Sequence, residues 1–133
     1  MSQENVETVR RAFDAVRRGD REGVERVFDA DAVWHNTREF PGPATCVGPQ
    51  AIVDFWATLL DSFEEDGRLD IERVVDGGET VVMSMHSVVR GKASGAPLDL
   101  RWAVAFTVRG GRVSRADVYG SWEKALQAVG LAE

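Results

Sequence analysis

The sequence predicts an α+β fold, a curved antiparallel sheet wrapped around N-terminal helices. Three observations predict it. Helical apolar spacing dominates residues 3 to 66, and extended segments divided by glycine turns fill residues 69 to 120. The two zones overlap only at one short strand-like stretch near residues 31–36. Helices first and a strand meander later make one layer of each, helices packed on one sheet face.

Residues 3 to 18 read as the first helix, with Val6, Val9, Phe13 and Val16 on one face. Glu4 and Glu7 near its start and Arg17 and Arg18 near its end suit the helix dipole. Gly19 ends it, and Asp20 caps a short second helix that buries Val24, Val27 and Phe28. Residues 31 to 36, with Ala32-Val33-Trp34-His35-Asn36, change to strand periodicity. A loop over 37–49 follows, punctuated by Pro41-Gly42-Pro43 and Gly48-Pro49, and it is long enough to cover something.

Pro49 opens the third helix at its first turn. Ile52, Phe55, Trp56, Leu59, Leu60 and Phe63 give it the broadest apolar face in the chain, and Asp66-Gly67 ends it. Strands are predicted over 69–75, 80–90, 98–108 and 112–120. The turns between them contain Gly77-Gly78, Gly91 to Pro97 and Gly110-Gly111. Such tight connections make neighbouring strands antiparallel. Ser121 caps a final helix through Val129, stopped by Gly130.

A chain of 133 residues that is 44% apolar suits one domain, residues 1–133, with one core of ordinary size. The net charge of −6 argues against nucleic acid and against an anionic membrane surface as partners. No apolar run approaches a membrane span, and the polar start does not read as a signal peptide. One cysteine, Cys46, excludes an internal disulfide and fits a reducing cytoplasm. His35, His86 and Cys46 lack metal-ligand spacing, so neither metal nor other cofactor is expected.

Specific stretches carry a resemblance. They are Glu4-Asn5-Val6 to Arg11-Ala12-Phe13, Arg18-Gly19-Asp20, Phe28 to Trp34, Gly48-Pro49-Gln50-Ala51-Ile52, and Gly110-Gly111-Arg112-Val113 to Asp117-Val118-Tyr119. Over essentially its whole length the chain resembles the SnoaL-like proteins of the nuclear-transport-factor-2-like (ketosteroid-isomerase-like) superfamily. The resemblance implies a cone-shaped, cystatin-like domain with a pocket under the sheet, often dimeric. It does not name a reaction, because the superfamily holds isomerases, cyclases, epoxide hydrolases, dehydratases and non-catalytic adaptors.

Measured against those subfamilies, the chain lacks the working groups of ketosteroid isomerases. Asn36 stands where their general-base aspartate falls, Ala12 where their phenol falls, and Trp102 and Ala103 near their protonated acid. Against limonene-epoxide-hydrolase-like members, Trp34, Asn36 and Asp117 fall on working positions. Met85 and Ser87 replace their central Arg and Asp. Polyketide cyclases of the SnoaL type are similar in carrying an acid in the last strand, at Asp117.

Asp117 therefore has two readings. Arg115, Asp117 and Tyr119 share one side of the last strand, and Ser114, Ala116 and Val118 the other. Asp117 is either a pocket carboxylate moving a proton or a charge on an open face beside Arg115. The expected pocket lining is Trp34, Asn36, Met85, Ser87, Trp102, Asp117 and Tyr119, with Asp117 and Asn36 as catalytic candidates. The other five are candidate substrate contacts. His35 and His86 alternate away from these positions. Trp56 belongs to the helix stripe, and Trp122 docks the last helix.

Such a lining expects a small, largely apolar ligand with one or two oxygens. Cofactor-free isomerisation, cyclisation, or hydration and dehydration are the reactions in view. The alternative is a non-catalytic dimeric ligand-binding or scaffold module. Homodimerisation is expected through the sheet face that the helices leave open.

Overall fold

The computed structural model describes residues 2–38 and 42–131. Four helices and six strands follow one another as α1 (Ser2–Arg18), α2 (Arg21–Val27), β1 (Phe28–His35), β2 (Thr45–Val47), α3 (Pro49–Asp61), β3 (Arg68–Asp76), β4 (Thr80–Arg90), β5 (Pro97–Arg109), β6 (Arg112–Tyr119) and α4 (Trp122–Ala128). The strands form one curved sheet in the order β2-β1-β6-β5-β4-β3. The fold is α+β, as the sequence predicts.

Local chemistry sets most boundaries. The Asp20 carboxylate accepts from the Gly23 N–H at 3.0 Å and starts α2. A Cβ at Gly23 would lie 2.5 Å from that carboxylate, so the cap needs glycine there. Pro49 sits in the first turn of α3. Ser121 accepts from the Lys124 N–H at 3.1 Å and starts α4.

Three boundaries differ from the sequence reading. β1 begins at Phe28, directly after α2, because Phe28 is buried and pairs with Val113 of β6. The expected loop over 37–49 contains the short strand β2, paired antiparallel with β1. Within that loop Glu39, Phe40 and Pro41 lie outside the described residues. α3 stops at Asp61 rather than near Asp66. The Ser62 hydroxyl donates to the Leu59 carbonyl, and Phe63 pairs instead with Gly91.

β3 to β6 are an antiparallel meander, but β1 joins β6 in parallel. That pairing draws the N-terminal half onto the sheet. The core lies between the sheet's inner face and helices α1 to α3. Phe13 of α1 meets Trp56 of α3 edge-on at 5.4 Å and also approaches Trp102 and Phe106 of β5 at 6.5 Å. Burying each such side chain contributes about 1.5–3 kcal/mol. On the outer face α4 seats Ala125 over Val82, Ala103 and Ala105, small enough for a close approach, with Tyr119 and Trp122 at its flanks.

The face of β6 is decided by its register with β5. Phe106 stands opposite Ala116, and Val104 opposite Val118. Phe106 and Val104 are buried in the main core, so Ala116 and Val118 face inward. A bulge after Thr107 leaves Ser114 as an extra residue and returns Val113 to the same inner face. Asp117 and Tyr119 therefore point outward, opposite Ala105 and Ala103 of the face that carries α4. This corrects their expected place in the pocket. Simple alternation could not choose between the two sides of β6. The packing of Ala116 and Val118 against the core chooses.

The assignment makes opposite forecasts for adjacent positions. Asp117→Ala removes a half-exposed pair with Arg115 and should cost less than about 1 kcal/mol. Ala116→Asp puts a charge into the core and should cost about 4 kcal/mol or more. Urea unfolding of the two variants measures both, and the reverse order would contradict the register.

Candidate functional site

A cavity of about 260 Å³ opens between the inner sheet face and α3. The helix wall is Phe55, Trp56, Leu59, Leu60 and, just past its end, Phe63. The sheet supplies Leu69 from β3, Ser87 and Val89 from β4, Leu98, Leu100 and Trp102 from β5, and Val118 from β6. Trp34 of β1 and the adjoining Asn36 complete it. Strand parity explains the sheet contribution. Ser87 stands opposite Leu100, and Val89 opposite Leu98, each pair pointing to the inner face.

The structure thus brings together four of the expected lining residues, Trp34, Asn36, Ser87 and Trp102. Met85 shares their face but is wholly buried beneath the wall. Asp117 and Tyr119 are on the opposite face. The helix residues were legible as the broadest apolar stripe in the chain, yet that stripe by itself signals core. What makes it a wall is the gap left before β4 and β5. Trp56 is core and wall at once, 3% exposed, with edge-on contacts to Phe13 and Trp34.

Two indole N–H groups are held by the two polar lining residues. Trp34 Nε1 donates to Asn36 Oδ1 at 2.9 Å, and Trp102 Nε1 donates to Ser87 Oγ at 2.9 Å. Asn36 Nδ2 in turn donates to the Pro43 carbonyl at 2.9 Å, and the Asn36 backbone N–H to the Ala44 carbonyl. Asn36 therefore ties Pro43 and Ala44 to the wall and fixes the Trp34 ring. Trp56 Nε1 is buried and has no acceptor among the described residues. None of the described lining residues carries a titratable side chain.

The titratable groups near the expected site lie on the outer face. Arg115 Nε donates to Asp117 Oδ2 at 2.8 Å, and the Asp117 side chain is 21% exposed. His35 Nδ1 lies 3.0 Å from Thr45 Oγ1. His86 Nε2 lies 2.6 Å from Asp99 Oδ1, with Glu72 on its other side, and Glu72 also accepts from Arg101 Nε at 3.0 Å. Among the described residues no group of three or more His, Cys, Asp or Glu is arranged to hold a metal ion. No helix among them is long and apolar enough to cross a membrane. Burial pushes the Cys46 thiol above its usual range, which keeps it in the unreactive protonated form.

An α+β cone with its cavity under the sheet defines the class of fold. The sequence profile of the SnoaL-like domain matches residues 9–116, most of the chain, and the chain belongs to that family. No curated protein matches it. Among solved structures it is similar to an NTF2-like protein from Burkholderia xenovorans LB400, with 26% identity, 90% of each chain covered and a TM-score of 0.77. A putative SnoaL-like polyketide cyclase from Jannaschia sp. CCS1 is 22% identical, with 98% of this chain and 91% of that one covered and a TM-score of 0.75. TerC, crystallised together with polyporic acid, is 20% identical, with 96% and 97% covered and a TM-score of 0.72. At the identities of the last two, the likeness shows the fold.

Tyr119 gives a direct reading of the outer face, because it is the chain's only tyrosine. Burial raises its pKa first, the Asp117 charge raises it further, and Arg115 opposes both. The folded chain thus holds this proton more tightly than the unfolded chain. That contribution to stability is intact below the ordinary tyrosine pKa and is lost as pH rises through the folded one. Tyrosinate absorbance should show a midpoint above that of free tyrosine. Arg115→Ala should move it up and Asp117→Asn should move it down. No response to either substitution would show that Tyr119 does not share their face.

Proposed function

We propose that this chain is a receptor for one small, largely apolar organic molecule, held in the cavity between α3 and the sheet. The observation that carries the reading is the chemistry of the wall. Its described residues are apolar or aromatic apart from Asn36 and Ser87, and both of these already hold an indole. Binding sites of this kind are concave and apolar, with few polar points. TerC, a neighbour in fold, was crystallised with an organic molecule, which supports a ligand role for the same architecture. In this reading Asn36 positions the wall, and Asp117 has no part in proton transfer. A single buried thiol suits the cytoplasm as its location.

A second reading draws on the putative polyketide cyclase from Jannaschia. A dry, shaped cavity can fold a flexible chain so that its reacting atoms meet, and orientation alone can supply much of a ring closure's barrier reduction. Such a cyclase would need no titratable wall. It would differ from a receptor by releasing a ring-closed product.

Two copies pairing through the outer sheet face belong to the same proposal. α4 covers only part of that face. Beyond it the His86–Asp99 and Arg101–Glu72 pairs are satisfied within one chain. Sedimentation at micromolar concentration should show a dimer, and monomer alone would rule this out.

Calorimetry with a naphthalene-sized neutral probe tests the receptor. Saturable binding is expected. Val118→Phe, which fills the cavity, should abolish it with the fold retained by circular dichroism. Asp117→Asn should leave affinity within about twofold, since a solvent-facing pair contributes little. Loss of binding in Asp117→Asn alone would contradict the proposal and restore the carboxylate to the site.

A further inference from the structure

Resting on that receptor reading, we infer that the ligand is a neutral molecule presenting a hydrogen-bond acceptor oxygen, such as a ketone, quinone or ester, and that Ser87 is the residue that selects it. The inference starts from the Trp102–Ser87 bond. An indole N–H can only donate, so the Ser87 oxygen is the acceptor at 2.9 Å. A serine hydroxyl has one proton besides its lone pairs, and this bond does not use it. Tetrahedral geometry at Oγ turns that proton away from the indole. Ser87 is a cavity wall residue whose hydroxyl proton has no acceptor among the described residues, which leaves it available to a bound molecule.

Trp56 lines the same wall with its ring. Its indole N–H is buried and has no acceptor among the described residues. Asn36, the other polar lining residue, has its oxygen on Trp34 and its NH₂ on Pro43. The polar demand of the cavity is therefore for an acceptor. Charge is disfavoured in either sign, because none of the described lining residues is titratable and a bound ion would be desolvated without a counter-charge. Together these features select against carboxylates, ammonium ions and plain hydrocarbons.

Three probes of similar shape separate the possibilities: acetylnaphthalene, isopropylnaphthalene and naphthoate, titrated into the full chain by calorimetry. On the native protein the ketone should bind about fivefold tighter than the hydrocarbon, the effect of one neutral hydrogen bond. Naphthoate should bind about tenfold more weakly than the ketone, or not at all. Ser87→Ala should bring the ketone-to-hydrocarbon ratio close to one, and Ser87→Thr should restore it. Equal binding of ketone and hydrocarbon by the native protein would overturn the inference without any variant, as would naphthoate binding tightest. A ratio unchanged in folded Ser87→Ala would overturn the role of Ser87. If the hydrocarbon binds but the ketone gains nothing, the receptor stands and the inference falls. If none of the three binds, both fall.

Discussion

The register between β5 and β6 is the constraint on which the rest depends. Placing Phe106 against Ala116 and Val104 against Val118 commits every side chain of the last strand to a face. A slip by one residue would carry Arg115, Asp117 and Tyr119 into the core and expel Ala116 and Val118. The bulge at Ser114 keeps Val113 inside despite its odd spacing from Ala116. Because β1 pairs in parallel with β6, the same register also sets where Trp34 and Asn36 meet the cavity.

Once that face is fixed, indole chemistry shapes the site. Trp34, Trp56 and Trp102 bring large apolar surfaces to one cavity, and each brings an N–H that needs an acceptor. Asn36 and Ser87 meet two of these needs, Asn36 with both ends of its amide engaged and Ser87 with its hydroxyl proton left over. The result is a wall whose polar atoms serve first to hold the wall. Acid–base groups accumulate instead on the outer face, in the Arg115–Asp117 and His86–Asp99–Glu72–Arg101 sets. The division between an apolar inner face and a charged outer face argues for recognition by shape, with hydrogen bonding as a filter.

Much of this was legible in the sequence. Helical periodicity located α1 and α3, Asp20 and Ser121 marked the starts of α2 and α4, and glycine turns delimited β3 to β6 to within a residue or two. Trp34, Asn36, Ser87 and Trp102 were legible as wall positions through the family resemblance. The parallel β1–β6 pairing was not, because it joins segments about eighty residues apart with no local signal. The face of β6 was not legible either. One alternating set holds Arg115, Asp117 and Tyr119 and the other Ser114, Ala116 and Val118, and the bulge that settles the matter leaves no mark in composition. Asp117 drew attention as the acid of the last strand, but only packing against β5 tells which way it points.

The most direct test of this account is a crystal structure of the protein pressurised with xenon, which settles in dry apolar cavities. Xenon between Leu60, Leu100 and Val118, with Asp117 on the outer face bonded to Arg115, is the predicted result. An ordered water chain in that space with the Asp117 carboxylate turned toward it would contradict the account.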